Sequence, residues 1–163
     1  MTFSRYLVAA AVLTGLAVPT SAQAVPSPSP VKAAAAAAKS YWGATPCNGR
    51  VTIAARSRLQ AGMDPTTDAW ATFSSSFGAN NLAAPAATYR NCTIALARWR
   101  WPTAASMAED WDLLCATVIH ETGHLLGRTH DSRRRSVMAP VFDDATIAPA
   151  VCRTARPRAA RRG

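Results

Sequence analysis

The chain has 163 residues, with 18 Lys and Arg against nine Asp and Glu, a net charge of +9, four cysteines and three histidines. That length argues for one domain, and after the N-terminal segment no apolar run is long enough for a membrane helix. The basic balance favours contact with anionic surfaces, but no nucleic-acid-binding signature accompanies it, so a specific nucleic-acid partner is set aside.

Residues 1–24 read as a secretory signal peptide. Arg5 is the positive n-region, Tyr6 to Val18 is apolar, and Ala22-Gln23-Ala24 fits the small-x-small cleavage pattern. Cleavage before Val25 removes only Arg5 among the charges and leaves +8. The expected product is secreted, extracellular and free of the membrane. Residues 25–38 are rich in Pro, Ser and Ala and read as a linker with a possible helical turn at Ala33 to Ala38. The compact domain is expected over 39–152, with Tyr41 and Trp42 as early core contacts.

Arg50 to Ala54 alternates and is rich in β-branched residues, so it reads as a strand. Gly62 to Pro65 reads as a turn. Thr66 or Thr67 then caps an expected helix to about Phe77, with Trp70, Phe73 and Phe77 along one face. After an Ala- and Pro-rich loop, Cys92 to Trp99 reads as a second strand, ended by Trp101-Pro102. Asp110 or Asp112 is the expected cap of a helix through Leu113, Leu114, Val118 and Ile119. Arg133-Arg134-Arg135 reads as an exposed loop, and residues 153–163 as a basic, disordered tail able to touch anionic surfaces.

Four cysteines in a short secreted chain favour two disulfides. Three pairings are open; Cys47 with Cys92 and Cys115 with Cys152 are favoured. A rival role for Cys47 comes from its setting between Pro46 and Asn48-Gly49.

All three histidines fall in His120-Glu121-Thr122-Gly123-His124-Leu125-Leu126-Gly127-Arg128-Thr129-His130. On a helix, positions i and i+4 share a face, so His120 and His124 can reach one metal ion. Gly127 can turn the chain in a left-handed conformation and return His130 as a third ligand. Three protein ligands leave one position open, as catalytic rather than structural zinc requires. Glu121 projects beside that position, where a general base is needed.

This long motif, followed by Met138 in Ser136-Val137-Met138-Ala139-Pro140, resembles the metzincin clan of zinc endopeptidases. The step from His130 to Met138 and the Met-Ala-Pro ending are most similar to matrixins; Asp131 departs from the serine usual there. The resemblance implies an α+β fold: a small twisted mixed sheet, an active-site helix, one or two further helices and a short C-terminal subdomain. It implies His120, His124 and His130 as ligands of one catalytic Zn2+, Glu121 as general base and Met138 beneath the site. It places Pro140, Val141 and Phe142 at a substrate-pocket wall, with Phe142 where tyrosine is usual. It also implies an extended peptide substrate pairing with a sheet-edge strand, for which the Cys92 to Trp99 strand is the candidate, and it echoes faintly in Cys47 the cysteine that occupies the zinc in latent matrixins. No histidine is left for a second zinc, and Asp143-Asp144 alone gives calcium few of the oxygens it needs. The expected function is a monomeric secreted zinc endopeptidase. The competing one is a catalytically silent metal-binding or surface-adhesion protein that keeps the zinc shell.

Overall fold

The computed structural model describes residues 29–142 and 148–157. The signal-peptide reading, the Asp143-Asp144 pair and most of the basic tail lie outside these residues.

Helix α1 spans Pro30–Trp42, much of the segment read as a linker. Ser29 caps it by accepting from the Lys32 amide, Pro30 occupies the first turn, and Gly43 closes it with φ +61°. The linker reading fails because Ala33, Ala34, Ala37 and Ala38 form one buried stripe. A run of alanines is marginal alone, but its lack of bulk lets the helix lie close against two others, α3 (Trp111–Leu125) and α4 (Ala150–Ala155). Trp42 anchors its end by donating from Nε1 to the Ile119 carbonyl, 2.9 Å away.

Four strands form one mixed sheet: β1 (Val51–Arg56), β2 (Ala69–Ser75), β3 (Gly78–Ala79) and β4 (Arg90–Ala97). Their order is β1-β4-β2-β3. β1 runs parallel to β4, with Val51 opposite Cys92, and β2 runs antiparallel to β4, with Trp70 opposite Ala95. β4 is therefore interior, with Ile94 and Leu96 buried, and is not the edge that meets substrate.

β2 corrects the expected helix over 66–77. Trp70 and Phe73 suit a helical face by spacing, yet the structure sends them to opposite sides of the sheet. Phe73 joins the main core with Ala69, whereas Trp70 packs with Ala95, Ala97, Leu59 and Met63 in a small second cluster. Phe77 sits in the following turn, 63% exposed. Long-range pairing to β4 outweighs a helical signal that rested on only three aromatic positions.

Beyond β4, a short helix α2 (Ala104–Glu109) starts at a capping box between Thr103 and Ser106. α3 follows at once and is buried for nearly its whole length, including His120, Glu121 and Thr122. It lies between the inner face of the sheet and α1. Asp110 stands at its N-cap without a side-chain capping bond, its carboxylate pairing instead with Arg100 at 2.8 Å, and Asp112 in the first turn pairs with Arg156. The domain thus extends past residue 152: Arg153 to Ala155 continue α4, and Pro157 is buried, so the start of the expected disordered tail is folded. The architecture is α+β, with a small mixed sheet and few helices. No helix among the described residues is long and apolar enough to cross a membrane.

Cys47 is paired with Cys92 and Cys115 with Cys152. The first bridge ties the turn before β1 to β4, so Cys47 is not a free thiol for a metal. The second ties α3 to α4. Replacing Cys115 and Cys152 together with alanine is expected to lower unfolding free energy by about 2–4 kcal/mol, read from urea denaturation; a loss below about 1 kcal/mol would show that α4 holds without its staple.

Candidate metal centre and active site

His120 and His124 are one turn apart on α3, and the helix stops at Leu125. The stop is local chemistry. Gly127 adopts φ +79°, its amide donates to the His124 carbonyl, and the Arg128 amide reaches back to the Gly123 carbonyl. That reversal brings His130 to the other two. The Nε2 atoms of His120 and His124 are 3.0 Å apart, those of His124 and His130 3.2 Å apart, and the three possible ligand atoms lie within 4.8 Å of one another.

The other ring nitrogens show what these contacts are. His120 Nδ1 lies 2.8 Å from the Val137 carbonyl and His124 Nδ1 2.8 Å from the Arg128 carbonyl. A carbonyl only accepts, so each Nδ1 carries the proton and each neutral ring turns its Nε2 lone pair inward. Lone pairs that close repel unless a cation lies between them. Tetrahedral zinc with bonds of about 2.0–2.1 Å sets its nitrogens about 3.3 Å apart, close to the spacing here. The donor set therefore fits zinc, with backbone carbonyls as the outer partners that fix each ring.

Burial favours the neutral rings. Desolvation lowers the His120 pKa to about 4, outweighing the Val137 carbonyl, and it lowers His124 also. Glu121 is buried as well; desolvation pushes its pKa up to about 8, partly opposed by the neighbouring backbone of Ala71. A cation at the histidines would reverse that balance and favour the ionised carboxylate.

Beneath α3, Met138 is buried and its Sδ presses on Gly123. A Cβ at Gly123 would meet that sulfur at 2.5 Å and the Trp42 ring at 2.9 Å. The Met138 carbonyl accepts from the Asp131 amide at 2.8 Å, tying the loop after His130 to the turn that supports His120. Asp131 is in turn held by Arg133, whose Nε lies 2.8 Å from its carboxylate. Phe142 sets its ring edge to face with His120, centroids 5.5 Å apart. Pro140 and Val141 are exposed, Val141 by 73%, so of the three expected pocket residues only Phe142 touches the histidine cluster.

Sequence reading did not find Ala71, Val137 or Arg128 as functional positions, since each acts through its backbone and carries no chemical signature. Gly123 had a readable signal in its missing side chain, but its reason lies in Trp42 and Met138, distant in the chain.

Two outcomes follow for the protein stripped of metal. Gly123→Ala is expected to cost about 1–3 kcal/mol of stability by overpacking, measured in urea; a neutral result would mean that Met138 and Trp42 give way freely. The second concerns pH. Between Glu121's ordinary 4.5 and about 8 the folded state holds a proton that the unfolded chain has lost, so its stability falls as pH rises. His120 acts in the opposite sense between about 4 and 6.5, where only the unfolded chain is protonated. The net fall is expected between pH 6.5 and 8, at about 1 kcal/mol per unit, in urea titrations with a chelator. Stability that rises across that window contradicts the buried, protonated carboxyl.

Comparison with known proteins agrees with this geometry. The peptidase family described as Matrixin matches residues 66–150, just over half of the chain. No curated protein and no solved structure matches it. The matched region runs from the turn before β2 through the three histidines and Met138 to the start of α4. The chain belongs to the matrixin family of zinc metallopeptidases.

Proposed function

We propose that this chain is a secreted zinc endopeptidase in which His120, His124 and His130 hold one catalytic zinc and Glu121 is the general base. The observation that carries the reading is the convergence of three imidazole nitrogens, with the rings of His120 and His124 fixed by backbone carbonyls, beside a buried carboxylate. When bound, zinc supplies Lewis acidity, polarising the scissile carbonyl and lowering the pKa of a water towards about 7.

The residues do the rest. Glu121 takes the proton of the attacking water and carries it to the leaving amine, so bond cleavage needs no covalent enzyme intermediate. Phe142 packs against His120 and forms part of the wall for a substrate side chain, with Pro140 and Val141 on its exposed flank. Met138 supports the site from below. The signal peptide and two disulfides suit an oxidising, extracellular compartment. The competing reading is a silent metal-binding protein; the retained Glu121 next to the first histidine favours turnover.

Glu121→Gln is expected to lower kcat by at least about 10³-fold while zinc content, measured by atomic emission, stays at one per chain. Turnover unchanged by this substitution removes the general-base assignment. His130→Ala should lose zinc in dialysis at concentrations where the native chain retains it; a variant that keeps both zinc and turnover shows that His130 is not a ligand.

A further inference from the structure

β2 is the strand beside Glu121, and its backbone alternates in direction. The Asp68 carbonyl accepts from the Ala97 amide on β4. The next outward positions are therefore Ala69, Ala71 and Phe73, which face away from β4. Phe73 confirms this by its bonds on the β3 side. Among the described residues no strand pairs with this edge at Ala69 and Ala71, and an edge of this kind is a template on which an extended peptide adds as a further strand.

The template is short. At Phe73 both outward groups are already taken by one residue. The Phe73 amide donates to Asn80 Oδ1 at 2.8 Å, and the Asn80 amide donates to the Phe73 carbonyl at 2.9 Å. Asn80 thus stands where the next residue of a bound peptide would sit. It does so from a left-handed backbone, φ +53°, which asparagine tolerates better than most residues. The turn behind it is tied down by Ser75 Oγ donating to the Gly78 carbonyl at 2.9 Å. Phe73 lies two residues from Ala71, about 7 Å along the strand.

We infer that Asn80 is a specificity-determining residue that plugs the substrate edge of β2, limiting backbone recognition on one side of the scissile bond to about two residues. The inference rests on the peptidase reading above and adds to it a substrate class: extended peptides recognised asymmetrically, with pairing on one side cut short. Ala69 and the Ala71 carbonyl remain for pairing towards the other end of the strand.

The test uses the zinc-loaded full chain and two series of unstructured peptides sharing one cleavable core. One series grows residue by residue on the amino side of the scissile bond, the other on the carboxyl side, and kcat and KM are read separately. For the native chain, one series is expected to gain with length while the other stops gaining after about two residues. Asn80→Gly keeps the left-handed turn and the backbone bond to the Phe73 carbonyl, but removes the side-chain oxygen and so frees the Phe73 amide for a longer peptide. It should restore a gain of roughly three- to tenfold in kcat/KM in the stalled series, carried by KM, when the third and fourth residues are added. Asn80→Asp keeps an acceptor for the Phe73 amide and should behave as the native chain does. If Asn80→Gly leaves both length profiles unchanged, or lowers every length equally, Asn80 only supports the hairpin and the inference is overturned. If no peptide is cut by either protein, the peptidase reading falls and this inference falls with it.

Discussion

The constraint on which the rest depends is the crowding of three imidazole rings, in which His120 and His124 face each other through Nε2 atoms 3.0 Å apart with their protons held on the far side by backbone carbonyls. Such an arrangement is unfavourable in an empty site and favourable around a cation, so the fold must hold it in place. It does so with backbone carbonyls. The Val137 carbonyl belongs to the turn that carries Met138, and the Arg128 carbonyl to the reversal after Gly127. Both sit on segments packed against α3, so the helix supplies two of the three histidines and also organises the groups that orient them.

Holding these segments requires α3 to be packed on every side. The sheet covers one side through Phe73, Ile94 and Leu96, and α1 covers another through a stripe of four alanines. Trp42 reaches the Ile119 carbonyl and presses against Gly123, while Met138 presses on the same glycine. The disulfide to α4 fixes the N-terminal half of the helix, just over one turn before His120. A domain of this size has little spare core, and a crosslink there offsets the small area available for burial.

The same packing makes the site electrically unusual. Glu121 is surrounded by protein and keeps its proton until well above the ordinary carboxylate range, whereas His120 sheds its proton early. Both shifts arise mainly from desolvation. For the histidines the shift favours the metal-binding form; for the glutamate it opposes the basic form until a cation is near. In the proposed enzyme, metal binding and activation of the base are therefore coupled through one patch of low-dielectric surface.

The sequence by itself determined the layout on which the proposed chemistry rests. The spacing of the three histidines, the glutamate beside the first, the glycine that turns the chain and the methionine below are all encoded within nineteen positions, and helical periodicity converts that spacing directly into geometry. The four cysteines also narrowed the staples to three pairings. Tertiary structure decided what no local pattern carries. Ala69 to Ser75 became a strand because β4 lies beside it, although its aromatic spacing pointed to a helix. The alanine run after Pro30 became a core helix because α3 offers a surface to cover. The edge beside Glu121, and Asn80 closing it, exist only once β2 has paired. Short-range periodicity reports what a segment can form; which form it takes depends on partners far along the chain, and those appear only when the whole core is assembled.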